Sequence, residues 1–248
     1  MWRFVVIVYL AGYKTIENIH KEPTDDIWLL SSFFEHKSGR FGNYVYQDKH
    51  ILDSGAFSTF KNPEKARSFD WDNYVKKYIA FIKLTKQKLF FELDIDCVVG
   101  LEKVEYYRKQ IEDAVGTQPI PVWHSNRGWN YFEMMCENYP YVSIGSGRYN
   151  TENYVSVLNK FIGVAHKNNC KIHGLGFTKT PLLHKLNFDS VDSTTWLCGI
   201  RGGHLYQFNN GIIKQVHKPK GTRAKYKQVH LFNFNEWLKF QKYAQTNL

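Results

Sequence analysis

Two short segments carry the residue types that chemistry at a sugar carbon requires. Phe188-Asp189-Ser190-Val191-Asp192-Ser193-Thr194-Thr195-Trp196, followed by Arg201-Gly202-Gly203-His204, places an acid where an apolar run stops. Ile51-Leu52-Asp53-Ser54-Gly55-Ala56-Phe57-Ser58 does the same with Asp53. One carboxylate can trap an oxocarbenium-like carbon covalently while a second carboxyl group moves the leaving group's proton. Two such acids at strand ends therefore point to substitution at an anomeric centre.

Composition frames that chemistry. The chain has 248 residues, of which 43% are hydrophobic and 17% aromatic, enough to bury a full core and an ordinary length for one α/β barrel. Lys and Arg total 33 against 23 acids, a formal charge of +10 that favours a polyanionic partner such as nucleic acid or anionic lipid. Cys97, Cys136, Cys170 and Cys198 are scattered and form no Cys-x-x-Cys pair. They read as free thiols in a reducing compartment, so a cytoplasmic protein is expected. Met1 to Leu10 carries Arg3 before an apolar run, as a signal peptide would. That run is too short to span a bilayer and no small-x-small cleavage site follows it, so a first buried strand and no membrane association are expected.

Short apolar runs alternate with longer amphipathic stretches, the rhythm of βα units. Strands are expected at 4–10, 27–32, 49–53, 88–94, 120–124, 141–145, 171–175 and 188–192, and eight of them fit a closed parallel (β/α)8 TIM barrel. Helices are expected at 72–85, 101–114, 129–137, 151–168 and 181–186, several opening on a capping Asp, Asn or Thr. Tyr74, Tyr78, Phe81 and Ile82 share one face at helical spacing. In such a barrel the reacting groups sit at the C-terminal strand ends. Asp53, Asp94 with Asp96, His124, Gly145-Ser146-Gly147, His173-Gly174-Leu175-Gly176 and Asp192 each end an expected strand. The expected layout is a catalytic barrel over 1–213, then a basic loop and a C-terminal helix over 214–248, with Asn235 capping that helix.

The ordered set of these segments resembles the tRNA-guanine transglycosylases, barrel enzymes that exchange guanine for a 7-deazaguanine base. Asp53-Ser54-Gly55-Ala56-Phe57 is similar to the family's Asp-Ser-Gly-Gly-aromatic motif, and Leu93-Asp94-Ile95 to its base-recognising aspartate strand. Ser143-Ile144-Gly145-Ser146-Gly147 is similar to its Ile-Gly-Gly turn, and His173-Gly174-Leu175-Gly176 to its Met-Gly-Val-Gly. Val191-Asp192 through Arg201-Gly202 resembles the nucleophile segment, so the likeness spans roughly residues 50 to 210. The family's zinc ligands, three cysteines and a histidine, are not matched, because only Cys198 follows Asp192. A compact barrel lacking the zinc subdomain, with no metal or other cofactor, is expected, and it resembles the phage-type relatives that modify DNA.

The resemblance implies Asp192 as nucleophile, kept ionised by Ser193, Thr194 or Arg201, and Asp53 as the group that alternates between acid and base. Phe57 and His173 fall where the family sandwiches the base. Asp94 or Asp96 is expected to accept hydrogen bonds from the guanine edge, with His124 and the Gly145-Ser146-Gly147 backbone completing the reading and Gly174 beside them. Ser54, Arg201, Lys214, Lys218, Lys220, Arg223, Lys225 and Lys227 are expected to contact the nucleic-acid backbone. The partners implied are DNA and a free 7-deazaguanine such as the 7-cyano form. Other readings stay open from the residues alone. They are the same exchange on tRNA, a retaining glycoside hydrolase, and a DNA-binding barrel without catalysis. His124 and His173 also fit structural roles.

Overall fold

The computed structural model describes residues 5–12, 27–36, 49–56, 63–198, 204–217 and 225–248. Its centre is an eight-stranded sheet of β1 (Ile7–Ala11), β2 (Leu29–Ser32), β3 (His50–Asp53), β4 (Leu89–Phe90), β5 (Val122–Trp123), β6 (Tyr141–Gly145), β7 (Lys171–Leu175) and β8 (Ser190–Ser193). The order is β4-β3-β2-β1-β8-β7-β6-β5, every paired neighbour is parallel, and the sheet curls as in TIM-like α/β folds. All eight expected strands are present, and 141–145 and 171–175 match to the residue.

Closure is where the structure departs from the expected barrel. The outer strands β4 and β5 share no continuous ladder and meet at a single parallel bridge, Phe91 to Ile120. The sequence explains the short seam, because Pro119 and Pro121 flank Ile120 and neither has an N–H to extend the ladder. A side chain takes over at that point. Val122 N–H donates to Glu92 Oε1 at 2.8 Å in place of a strand partner.

Glu92 is fully buried and binds two arginines, Arg108 Nε at 2.6 Å and Arg127 Nη1 at 2.7 Å. Arg108 also reaches the hydroxyls of Tyr139 and Tyr131, and Arg127 Nη2 reaches Asp96 at 3.1 Å. Removing one partner of a buried ionic cluster strands the remaining charges in low dielectric. Glu92→Gln is therefore expected to lower stability by about 3 to 5 kcal/mol, read as an earlier urea midpoint. An unchanged midpoint would show that the seam does not depend on this carboxylate.

Helices cover the outside of the sheet: α1 (Phe33–His36), α2 (Pro63–Arg67), α3 (Trp71–Thr85), α4 (Asp96–Val99), α5 (Leu101–Val115), α6 (Trp129–Asn138), α7 (Val155–Lys167) and α8 (Thr180–Leu183). Asp70 caps α3 by accepting from Asn73 N, and Gly116 ends α5 in the left-handed conformation. The alternation of strand residues sorts the core into two parts. Val8, Leu10, Leu52, Val142, Ile172 and Val191 face the helices, whereas Tyr9, Ala11, Leu30, Ile51, Phe91 and Val122 fill the inside of the curl.

The C-terminal region differs from its expected form. An antiparallel hairpin of β9 (Leu205–Asn209) and β10 (Ile212–Val216) precedes the last helix and runs across the expected boundary at residue 213. Asn210 and Gly211 turn it with φ of 46° and 82°. These are the positive values that a two-residue turn between right-twisted strands requires. The final helix α9 (Tyr226–Asn247) is 22 residues long, so Asn235 lies inside it and does not cap it. Gln241 ties α9 to the sheet, its amide donating to the carbonyls of Val8 and Trp28 and accepting from Trp28 N. Among the described residues, no helix is long and apolar enough to cross a membrane.

Candidate active site

Parallel strands deliver their C-terminal ends to one side of the sheet, where Asp53 ends β3, Asp192 lies on β8 and Asp94 lies in the segment that follows β4. The Asp53 carboxyl is within electrostatic reach of both other acids, on the side of the sheet where the parallel strands end. Burial pushes the Asp53 pKa up to about 7, helped by the charges of Asp94 and Asp192 and opposed by the Gly55 N–H. That N–H donates to Asp53 Oδ2 at 3.0 Å. Gly55 has φ +71°, and a Cβ there would lie 2.5 Å from Ser32 Oγ and 2.6 Å from Phe34 N. Only glycine fits this turn.

The helix face expected from periodicity holds this corner. Tyr74 OH donates to the Ser54 carbonyl at 2.6 Å and Tyr78 OH to the Phe91 carbonyl at 2.9 Å, so α3 anchors the ends of both acid-bearing strands. Burial, followed by the nearby Asp53 charge, keeps both phenols protonated. Ser54 itself is fully buried, its hydroxyl accepting from Ala56 N at 3.4 Å. It shapes the turn and is not available to bind a nucleic-acid backbone.

Asp192 is nearly buried, and among the described residues its hydrogen bonds fall on one oxygen. Oδ1 accepts from Gly176 N at 2.6 Å and lies 3.3 Å from His173 Nε2. Among the described residues, Oδ2 takes no hydrogen bond. Ser193 Oγ accepts from Thr195 N at 3.1 Å, and among the described residues the hydrogen bonds to Asp192 come from Gly176 and His173, not from the expected hydroxyls of Ser193 and Thr194. His173 is also displaced from its expected role. Its ring is fully buried and packed against Tyr9 and Phe91 with centroids 6.1 and 5.2 Å away, so it offers no face to a base.

Of the two candidate edge-reading acids, Asp94 is the one at the mouth, hydrogen-bonded to His124 Nε2 at 3.0 Å. Burial opposes charge on His124, but the hydrogen bond and charge of Asp94 outweigh it and raise the imidazole pKa. Asp96 is committed elsewhere. Despite burial, its pKa is lowered by Arg127 and Asn126, and the carboxylate belongs to the ionic cluster of the seam.

Gly145 and Gly174 have opposite surroundings. A Cβ on Gly145 would sit 2.9 Å from the His124 ring, so glycine lets that imidazole lie over the strand end. A Cβ on Gly174 would meet Phe177 and Phe188, which places this residue against the outer core and away from the mouth. Ser146 N–H donates to the Leu175 carbonyl at 2.9 Å, and Gly147 opens a short 3-10 turn.

Phe57, Arg201, Lys218, Lys220 and Arg223 lie outside the described residues. Lys214 is exposed on β10, a strand and not the expected loop, and Lys225 and Lys227 are exposed at the start of α9. A groove of about 360 Å³ is lined by Lys179, Thr180, Thr195, Tyr206, Gln215 and Trp237, among others, and by none of the acids at the strand ends. It had no sequence signature, because its walls come from five separate segments. Cys97, Cys136, Cys170 and Cys198 are free thiols. Among the described residues no three His, Cys, Asp or Glu side chains gather as a metal site. Neither a protein-family model nor a curated protein matches this chain.

Proposed function

We propose that this chain is a base-exchanging transglycosylase that replaces guanine in DNA with a 7-deazaguanine such as the 7-cyano form, working in the cytoplasm on the curled, all-parallel TIM-like sheet. The observation that carries the reading is the triad of carboxyl groups at one strand-end mouth, one of them with a pKa of about 7. Such a group is half protonated at neutral pH and can give and take a proton in successive steps. The order of the motifs along the chain supports the same reading.

In the first step Asp192 Oδ2 attacks C1′ of an extruded nucleotide, the C1′–N9 bond breaks, and its electron pair leaves with the purine. The protonated Asp53 carboxyl supplies the proton that makes the leaving group neutral guanine. In the second step the incoming base gives its N9 proton to the Asp53 carboxylate, N9 attacks C1′, and the Asp192 carboxylate departs. One glycosidic bond replaces another of similar kind, so the exchange needs no energy-rich cosubstrate. Asp94 is an acceptor suited to the N1–H and exocyclic amine of guanine, and His124 holds it in place. The formal charge of +10 suits a polyanion such as DNA, with exposed Lys214, Lys225 and Lys227 offered to its backbone.

The test is direct. Purified protein is incubated with DNA carrying labelled guanine, and separately with similarly labelled tRNA, in the presence of 7-cyano-7-deazaguanine, and the polymers are digested to nucleosides for mass spectrometry. The proposal expects label release and the modified nucleoside from DNA. Exchange in tRNA alone would move the assignment to the RNA substrate, and exchange in neither would remove it.

A further inference from the structure

Beneath the candidate nucleophile, inside the curl of the sheet, three polar side chains form a line that the reaction itself does not use. Tyr141 OH lies 2.5 Å from Ser190 Oγ, Ser190 Oγ lies 2.5 Å from His173 Nδ1, and His173 Nε2 lies 3.3 Å from Asp192 Oδ1. Each residue belongs to a different strand position pointing inward: Tyr141 on β6, His173 on β7, Ser190 and Asp192 on β8. His173 and Ser190 are fully buried. Polar groups inside an apolar core are retained only when their donors and acceptors match.

With a neutral imidazole facing an ionised carboxylate, one arrangement of protons satisfies the whole line. An ionised carboxylate is acceptor-only, so His173 Nε2 must carry the hydrogen that points at Asp192. A neutral imidazole then has a bare Nδ1, which accepts from the Ser190 hydroxyl, whose oxygen in turn accepts from Tyr141. Burial keeps the Tyr141 phenol protonated and therefore a donor. The far end of the line is thus a fixed source of one hydrogen bond, and the near end a fixed donor to Oδ1.

Resting on the proposed exchange reaction, we infer that His173 is a positioning residue for the nucleophile, held by Ser190 and Tyr141 in the Nε2–H tautomer so that Asp192 presents Oδ2 to the anomeric carbon. The Gly176 N–H shares Oδ1 and fixes the second direction, so the carboxylate plane is set by two donors from β7 and the loop after it. Misplacing a reacting atom by about 1 Å can cost on the order of 100-fold in rate, so a donor that touches no substrate still governs the chemistry.

The experiment has two arms. The first reads the tautomer without activity, from two-bond proton–nitrogen correlations of the ¹⁵N-histidine-labelled protein, with His173 assigned by its absence in His173→Gln. The inference expects a neutral Nε2–H ring in the wild type and loss of that single tautomer in Ser190→Ala. A wild-type Nδ1–H ring or an imidazolium would overturn it, whatever the enzyme does. The second arm measures single-turnover formation of the covalent protein–DNA species. His173→Phe, which fills the space without a donor, is expected to slow that step by about 100-fold with DNA affinity unchanged. His173→Gln, whose amide nitrogen can replace Nε2, is expected to retain most of the rate. Equal losses in both variants, or none in His173→Phe, would overturn the inference. If the wild type forms no covalent species at all, the exchange reading fails while the tautomer measurement still decides the arrangement.

Discussion

Asp192→Asn is expected to abolish base exchange, with the rate falling by about 10⁴-fold or more, because the covalent intermediate cannot form without the nucleophile. The substitution is a clean one in this fold. The amide oxygen of asparagine can still accept from Gly176 N and His173 Nε2 in the place of Oδ1, while its NH₂ takes the position of Oδ2. The melting temperature should therefore stay close to that of the wild type, and the loss belongs to the chemical step. A denaturing gel of protein mixed with labelled DNA in the absence of incoming base supplies the check. Wild type should show a slow-migrating adduct and Asp192→Asn none. An adduct that persists in the variant would move the nucleophile to another residue, and exchange without any adduct in the wild type would replace the double displacement with direct attack.

The parts of this arrangement that the sequence made legible are those dictated by local chemistry. β6 and β7 were readable to the residue because Tyr141 to Gly145 and Lys171 to Leu175 alternate inward and outward residues between clear helical stretches. Asp53 and Asp192 were readable because a charged residue ending an apolar run in a parallel sheet falls at the mouth. What stayed hidden were pairings over long sequence separation. Glu92 falls inside the expected strand 88–94 with no neighbour in sequence that marks a partner, yet it binds Arg108 and Arg127 at the seam, 16 and 35 residues away. The choice between Asp94 and Asp96 turned on that cluster, since Arg127 claims Asp96 and leaves Asp94 to His124.

The length of α9 was obscured for a related reason. Asn233, Glu236 and Gln241 are buried polar residues that break the apolar stripe of the helix, and their partners lie in the hairpin, the Trp196 segment and the first two strands. The hairpin, by contrast, carries a local signal in the sequence. Asn209-Asn210-Gly211 between two apolar-alternating runs is the sequence of a tight two-residue turn. His173 marks the opposite limit, because nothing near it in sequence says whether its ring faces a ligand or the core. Its role follows from Tyr141, 32 positions earlier in the numbering, reaching Ser190 on the far side of β7.

Asp53→Asn is expected to separate two consequences of one raised carboxyl pKa. In catalysis the same group must be protonated when guanine leaves and ionised when the new base enters, so the wild-type rate should peak near the folded pKa of about 7 and fall on both sides. The variant should lose roughly 10²- to 10⁴-fold and show no such peak. In stability the sign is opposite to that of a salt-bridged acid. Between the ordinary value of 3.8 and about 7 the folded state holds a proton that the unfolded chain has released, so wild-type stability declines as pH rises through that window. Asparagine carries no such penalty. Asp53→Asn should therefore match the wild type near pH 4 and exceed it at pH 8, by about 1 to 2 kcal/mol once partial solvent screening is allowed for. Denaturant titrations at the two pH values measure the difference. A gap of equal size at both would mean that the carboxyl titrates normally in the fold, and the acid–base assignment would have to pass from Asp53 to another group at the mouth.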